Sequence, residues 1–222
     1  MGDQVGMGHA CPMPSKPPPL TLAEAVDRAS ELAASGGRRL LGLVGPPGAG
    51  KSTLSAVLAE RVGERMVVAG MDGFHLANAE LIRLGRRDRK GAPDTFDVDG
   101  YVTLLRRLRE QQHPLYAPLF DRDLEESIGS AVRVEPEVPL VVTEGNYLLF
   151  DEHGWDGVRP QLDEVWYLQV DEVERRRRLV HRRLGHGDNP DHAEQWVHTV
   201  DEANAVRVAA TRALADRIVD MP

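Results

Sequence analysis

The stretch "GPPGAGKST" at residues 45–53 decides the fold that we expect for this chain. It fits the pattern G-x-x-x-x-G-K-[ST], whose fixed positions are occupied by Gly45, Gly50, Lys51 and Ser52. A short apolar run, "RRLLGLVG" at 38–45, precedes the pattern, and apolar residues at helical spacing follow it from Lys51 onward. A buried strand, a glycine-rich turn and a helix in this order predict a loop that binds phosphate groups.

The residue types of this loop suit an anion. Glycines let the backbone curl so that several N–H groups point at one phosphate, and the helix that follows directs its N-terminal dipole at the same place. Lys51 is expected to reach the β- and γ-phosphates, and the Ser52 hydroxyl to bind Mg²⁺. An ordinary glycine-rich turn is the alternative. The predicted nucleotide-binding residues are Gly45, Gly48, Ala49, Gly50, Lys51, Ser52 and Thr53.

Composition limits the classes of protein that fit. The chain has 222 residues, a length typical of one domain, and a net charge of −8, which argues against general binding to nucleic acid or acidic membranes. Its one cysteine, Cys11, cannot form a disulfide framework or a cysteine-based zinc site. No apolar stretch approaches the roughly 20 residues that span a bilayer, and no secretory signal is evident. We therefore expect a cytoplasmic protein.

Strand and helix patterns alternate along the chain. Residues 1–20, rich in Gly and Pro, are predicted to be a flexible tail, and residues 21–222 a single domain that opens with a Thr21–Glu24 capping box. The pattern predicts an α/β fold with a mostly parallel sheet. Expected strands are 38–45, 66–69, 139–149 and 164–171, with a hairpin at 114–138; expected helices include 76–84, one capped by Asp99, 172–184, and a long final helix from about 192 capped by Asp191 and Glu194.

Two carboxylates follow predicted buried strands. Asp72 comes after "MVVAGM" and Glu144 after "LVVT". Because the carboxyl ends of parallel strands share one edge, both should face a nucleotide held by the glycine loop. Asp72 is then a candidate base that takes a proton from an acceptor hydroxyl, and Glu144 a candidate ligand of Mg²⁺ or of that hydroxyl. A helix cap at Asp72 and a plain turn at Glu144 are the alternatives.

The arginine-rich stretch "VERRRRLVHRR" at 173–183 has helical spacing. Val173, Val180 and Leu184 share one predicted apolar stripe, and Arg175, Arg178 and Arg182 lie roughly opposite it. With the glycine-rich "LGHGDNP" that follows, this segment, around 172–190, is a candidate lid whose arginines stabilise charge on a transferring phosphoryl group. A solvated basic face is the alternative.

Taken together, the glycine loop, "MDGFH", "RKGAPDTFD", "EGNYLL" and the arginine helix followed by "DEANA" resemble the phosphoribulokinase/uridine kinase family of P-loop kinases. The closest match is to its small nucleoside-kinase-like, pantothenate-kinase-like and fructokinase-like members, from about residue 38 to the C-terminus. The resemblance implies a P-loop three-layer sandwich, Asp72 as catalytic acid group and Arg178 and Arg182 as lid arginines. It places the acceptor at His75, Arg89, Lys90, Phe96 and Tyr116.

These observations predict a kinase that uses ATP and Mg²⁺ and phosphorylates a hydroxyl of a sugar, a nucleoside or a pantothenate-like metabolite. Asp72, Lys51 and Arg182 are the predicted catalytic residues. Two alternatives stay open: a GTPase or ATPase switch, for which "DVDG" (97–100) and "DEHG" (151–154) match the D-x-x-G pattern, and a regulator that binds ATP without catalysis. The chain has no N-K-x-D guanine motif. Family members suggest a possible homodimer.

Overall fold

A parallel sheet of five strands forms the centre of the molecule in a computed structural model that describes residues 17–185 and 187–222. A separate antiparallel hairpin supplies two further strands. The seven strands are β1 (Arg39–Val44), β2 (Met66–Val68), β3 (Leu115–Asp121), β4 (Glu126–Val134), β5 (Leu140–Gly145), β6 (Glu164–Gln169) and β7 (Arg217–Asp220).

Helices connect the strands and cover both faces of the sheet. The α-helices are α1 (Leu22–Ala34), α2 (Lys51–Val62), α3 (Asn78–Arg83), α4 (Val98–Glu110), α5 (Glu172–Gly185), α6 (Pro190–Trp196) and α7 (Glu202–Ala210). A π-helical turn, Val197–Asp201, joins α6 to α7. Short 3₁₀ turns lie at Gly63–Arg65, Met71–Phe74, Arg87–Arg89, Trp155–Gly157, Arg159–Gln161 and Arg212–Leu214.

The order of the central strands is β2-β5-β1-β6-β7, and every neighbouring pair is parallel. Alternate residues of β1 enter two separate cores: Leu40 packs with α4 and α7, and Leu41 packs with α1 and α2. Strands covered on both faces need near-continuous apolar runs, which is why these segments read so clearly in the sequence. The predicted three-layer α/β sandwich is confirmed.

The hairpin of β3 and β4 lies beside the end of β2. Its pairing shifts register between Ala117 and Leu119, where Pro118 has no N–H to donate to the ladder. The carbonyl of Pro118 approaches Gly73 so closely that a Cβ on that glycine would lie 2.4 Å from the oxygen. Only glycine fits there, so the hairpin fixes the 3₁₀ turn that carries Asp72.

Two expectations about helix caps are wrong. Helix α4 is capped by Asp97, whose side chain accepts from the N–H of Gly100, while Asp99 lies in the first turn. Helix α6 is capped by Asn189, two residues before Asp191, because its side chain reaches the N–H of His192. In both cases an earlier Asx residue has the extended or intermediate backbone that a cap requires.

The long final helix predicted from about residue 192 is present, because α6, the π-helical turn and α7 follow one another without a break from Pro190 to Ala210. The sequence analysis did not predict the strand β7 that follows and pairs with β6. Most of the predicted tail, residues 1–16, lies outside the described residues. Its last residue, Leu20, pairs with β7, since its N–H donates to Ile218 O at 2.8 Å. In the described part of the chain no helix is long and apolar enough to cross a membrane.

Candidate active site

The glycine loop between β1 and α2 has the geometry of an anion cradle. Gly48 and Gly50 have φ values of +80° and +90°, which place them in the left-handed region that glycine tolerates. Lys51 Nζ donates to Gly45 O at 2.7 Å and to Asn146 Oδ1 at 2.6 Å. Burial lowers the pKa of the Lys51 ammonium to about 8, against the opposing effect of Asp72 and Glu144. A phosphate at the loop would supply the anionic partner that this buried ammonium lacks.

Glu144 ends β5 directly beside the start of α2. Its Oε1 accepts from Ser52 Oγ at 2.8 Å, and its Oε2 accepts from Ser55 Oγ at 2.9 Å. Hydroxyl and carboxylate oxygens are the ligands that Mg²⁺ prefers. No group of three or more His, Cys, Asp or Glu side chains in the described residues is arranged to hold a metal by itself. The pair fits a Mg²⁺ that takes its remaining ligands from phosphates and water.

Asp72 lies in the 3₁₀ turn that follows β2, and its side chain turns into the cleft, not into the core. The carboxylate is 43% exposed and accepts from Arg122 of the hairpin, with Nη2 at 3.3 Å from Oδ2. Its charge acts on both Lys51 and Arg182. The Asp72 carboxylate therefore faces the open cleft between the glycine loop and the arginine helix.

Aromatic side chains line the part of the cleft beyond Asp72. The His75 ring packs 4.1 Å from Phe96 and 4.7 Å from Phe120, measured between ring centroids. Its Nδ1 lies 2.7 Å from the carbonyl of Asp72; because a carbonyl oxygen can only accept, Nδ1 carries the proton. Burial lowers the pKa of His75, so the ring is neutral and Nε2 is a hydrogen-bond acceptor. Lys90 lies 4.9 Å from the Phe120 ring centroid.

Helix α5 packs on the glycine loop with the face opposite to the predicted one. Of the expected apolar stripe, Val173 and Leu184 are exposed and Val180 is half-buried, whereas Arg175 and Leu179 are buried against Gly48. Arg175 donates to Pro47 O at 3.3 Å and forms ion pairs with glutamates of α5 and α7. The prediction failed because periodicity assumes an apolar core, and this helix instead packs through a paired arginine.

Both predicted lid arginines line the cleft. Arg178 Nε donates to Glu174 Oε1 at 2.8 Å, and its Nη1 lies 3.6 Å from the position of a Cβ on Gly50. Arg182 lies one turn further along α5, near enough to Asp72 and Asp201 for their charges to act on it. The arginine helix thus borders the glycine loop at one end and the Asp72 side of the cleft at the other.

The cleft encloses about 1090 Å³ and contains most of the predicted site residues. Gly45 and Ala49 lie behind its surface, where Ala49 is fully buried in the core. The predicted residues that line the cleft are Gly48, Gly50, Lys51, Ser52, Thr53, Asp72, His75, Lys90, Phe96, Glu144, Arg178 and Arg182.

Two predicted acceptor residues do not line the cleft. Tyr116 is 53% exposed, because the pleat of β3 buries its neighbours Leu115 and Ala117. Arg89 is bound to Asp94 through both guanidinium Nη atoms. The structure therefore does not bring Tyr116 and Arg89 together with the other predicted acceptor residues.

Several cleft residues escaped the sequence analysis. Asn146 contacts Lys51, Ser55 contacts Glu144, and Arg122 contacts Asp72. Asn146 follows Glu144 at the same strand end, so the rule that located Glu144 applies to it as well. Arg122 and Phe120 come from the hairpin, whose position over the sheet edge cannot be read from local pattern.

The two D-x-x-G matches do not belong to the cleft among the residues that the structure describes. Asp97 of "DVDG" caps α4, and "DEHG" forms the turn before the buried Trp155. Neither segment is placed to sense a nucleotide phosphate, as the GTPase alternative requires.

Comparison with known proteins agrees with this geometry. A family model described as "AAA domain" matches residues 41–196. A protein named "Putative uridine kinase C227.14" from Schizosaccharomyces pombe is 38% identical over 174 residues, which cover 74% of each chain. This chain belongs to the phosphoribulokinase/uridine kinase family of P-loop kinases. It is a phosphotransferase with an alcohol group as acceptor.

Other members of this P-loop kinase family carry different substrate names. A solved structure described as a "putative fructose transport system kinase" from Silicibacter sp. TM1040 superposes with a TM-score of 0.77 at 39% identity, over 87% of this chain and 98% of that one. The pantothenate kinase of Lacticaseibacillus casei is 26% identical over 59% of this chain and 48% of its own length. The names of these relatives therefore point to different acceptors.

Proposed function

We propose that this P-loop kinase transfers the γ-phosphoryl group of ATP to a hydroxyl of a sugar, a nucleoside or a pantothenate-like metabolite. The observation that carries the proposal is the position of Asp72 in the cleft. It is a carboxylate at a strand end, opposite a glycine loop and Lys51, with an aromatic wall beyond it. A carboxylate there accepts the proton of the attacking hydroxyl, and the remaining residues place and neutralise the phosphates.

Different residues neutralise the negative charge on different parts of the ATP phosphates. Lys51 exchanges its contacts with Gly45 O and Asn146 for the β- and γ-phosphate oxygens. Arg182, at the far end of α5, faces the negative charge that develops on the transferring group. Ser52 and Glu144 are the residues that would hold Mg²⁺, which when bound neutralises charge on the phosphates. Positioning and electrostatics supply most of the rate in this reaction class.

A coupled assay for ADP release tests the proposal. Sugars, nucleosides and pantothenate are screened with ATP and Mg²⁺, and mass spectrometry identifies any phosphorylated product. We expect at least one acceptor to raise ADP release above the rate with ATP alone. Slow ATP hydrolysis with no phosphorylated acceptor would contradict the proposal and favour a regulator that only binds ATP.

A thermal-shift comparison of ATP with GTP tests the choice of nucleotide. A ligand that binds only the folded chain stabilises it by an amount that grows with the logarithm of its concentration over Kd, about 2.7 kcal/mol at a hundred times Kd. We expect a larger rise in Tm with ATP than with GTP. The opposite order would support the GTPase alternative.

A further inference from the structure

Asp201 ends the π-helical turn between α6 and α7, and its carboxylate has no explained partner. The residue is 7% exposed and lines the cleft. Within the described part of the chain, its Oδ2 is enclosed and makes no hydrogen bond. An unsatisfied buried carboxylate oxygen costs stability, and π-helical turns occur frequently at functional sites. The feature calls for a ligand that donates a hydrogen bond.

The cations around Asp201 do not satisfy it. Arg183 and Arg175 act on its charge, but Arg183 pairs with Asp188 at 2.6 Å and Arg175 pairs with glutamates. Arg182 also acts on it, yet no ion pair within 4.0 Å joins Asp201 to any cation that the structure describes. Burial raises the pKa of Asp201 in spite of these arginines. The Asp201 carboxylate thus lies near three arginines, while its Oδ2 accepts a hydrogen bond from none of them.

Asp201 lies on the acceptor side of the cleft. Asn204, three residues along the chain, places its Oδ1 3.5 Å from the Tyr147 hydroxyl, which donates to Gly91 O at 2.6 Å. Gly91 adjoins the His75 ring, whose Nε2 would lie 4.0 Å from a Cβ on that glycine. The charges of Asp72 and Asp201 both act on the Tyr147 hydroxyl. A compound bound between His75 and α7 therefore lies in the cleft that both carboxylates line.

We propose that Asp201 determines acceptor specificity by accepting a hydrogen bond from a second hydroxyl group of the acceptor, one that is not phosphorylated. This inference rests on the kinase function proposed above. It names the acceptor class as a neutral polyhydroxylated compound, a sugar or the sugar of a nucleoside. An acceptor whose carboxylate approached this wall could not donate to Asp201 and would be repelled by it. Sites built to hydrogen-bond a hydroxyl strongly reject analogues that lack it.

The test compares acceptors that differ by one hydroxyl. The best acceptor from the ADP-release screen and its series of monodeoxy analogues are assayed with the wild type, Asp201→Asn and Asp201→Ala. Glu194→Gln is the matched control, since Glu194 is an exposed carboxylate of α6 outside the cleft. A hydrogen bond to a charged group contributes enough to change KM roughly ten- to hundredfold.

We expect Asp201→Ala to raise the KM for the acceptor by roughly ten- to hundredfold with the KM for ATP unchanged. The KM of Asp201→Asn for the acceptor should lie between those of Asp201→Ala and the wild type, because an amide oxygen still accepts a hydrogen bond. One deoxy analogue should be a poor substrate of the wild type, and Asp201→Ala should no longer distinguish it from the parent compound. That loss of discrimination is the signature of a direct contact.

Other results overturn the inference. If Asp201→Ala lowers kcat equally for all acceptors and keeps the discrimination among analogues, Asp201 acts through Arg182 and not on the acceptor. A wild-type preference for hydroxy acids such as pantothenate or glycerate over neutral polyols would also overturn it. Should Asp201→Ala not fold, the Asn variant with the deoxy series gives the same decision. If the wild type phosphorylates no acceptor, the kinase proposal itself fails. If an acceptor is phosphorylated but substitutions of Asp201 leave KM and kcat unchanged, only the inference about Asp201 fails.

Discussion

Asp72 is the residue on which the proposed chemistry depends most directly. It stands in a turn, not in the core, so Asp72→Asn keeps the volume and is expected to fold and bind ATP. We expect kcat to fall by roughly 10² to 10⁴, the usual contribution of a general base. Initial rates of ADP release with saturating acceptor measure the change. Asp27→Asn, an exposed acid of α1, serves as control. A variant with wild-type kcat would remove Asp72 from the mechanism.

His75 gives the folded chain a pH dependence that can be isolated. Because burial lowers its pKa in the folded state, the unfolded chain binds the proton more tightly. The folded state therefore loses stability as pH falls below the ordinary value near 6.5, by at most about 1.4 kcal/mol per pH unit. We expect His75→Gln to show a shallower loss between pH 6.5 and 5, measured by urea unfolding.

The slope, not the absolute stability, is the relevant measurement for His75, since replacing the ring also removes its packing on Phe96. His113→Gln, at an exposed position, is the control and should leave the slope unchanged. An identical slope in wild type and His75→Gln would show that His75 does not titrate abnormally.

The buried guanidinium of Arg175 packs helix α5 against the glycine loop. Arg175 is fully buried and pairs with Glu172 and Glu202, while its Nη1 donates to Pro47 O. Arg175→Met leaves a partly buried Glu202 without this partner, and we expect a loss of about 3–5 kcal/mol with weaker ATP binding. Arg177→Met is the matched control, because its pair with Glu174 is exposed and should contribute less than about 1 kcal/mol.

Chemical denaturation of both variants measures these losses, and isothermal titration calorimetry measures ATP affinity. Equal losses from Arg175→Met and Arg177→Met would contradict the role assigned to Arg175 in holding the helix on the loop.

The hairpin packs tightly on the catalytic turn, where Gly73 meets Pro118. A Cβ at residue 73 would lie 2.4 Å from Pro118 O. We expect Gly73→Ala to cost about 1–3 kcal/mol, as overpacking usually does, and to lower kcat because Asp72 moves with the turn. Gly129→Ala is the control, since a Cβ at Gly129 would meet nothing within 4 Å. Unchanged Tm and kcat in Gly73→Ala would contradict the close packing.

Elements with continuous apolar runs were predictable because burial on both faces leaves a strong local signature. Strands β1, β5 and β6 appeared at their predicted places, as did the turn of Asp72 and the end of β5 at Glu144. The face of α5 was not predictable, since its packing depends on Glu202, a residue far along the chain. The exposure of Tyr116 was not predictable for a related reason: a one-residue choice of register in β3 turns a side chain to the other face.

Cooperative unfolding is the prediction for the whole molecule. The two cores share one sheet, because Leu40 and Leu41 of β1 enter opposite layers. Trp155 belongs to one core and Trp166 to the other, and both are fully buried. Variants that retain a single tryptophan, with Trp196 replaced by Phe in each, should unfold with the same midpoint by fluorescence and circular dichroism. Two separated transitions would contradict the single domain predicted for residues 21–222.

The close approach of Gly73 to Pro118 has a consequence for engineering new acceptor ranges. The Pro118 carbonyl, at the register shift of the hairpin, packs directly on Gly73 of the catalytic turn, and Ser127 Oγ adds a hydrogen bond to His75 O. Residues beyond that contact, including Phe120 and Arg122, line the cleft and belong to neither buried core. Libraries that randomise 119–125 and keep Gly73, Pro118, Glu126 and Ser127 constant should therefore change the side of the cleft that the hairpin lines while leaving the glycine loop unchanged.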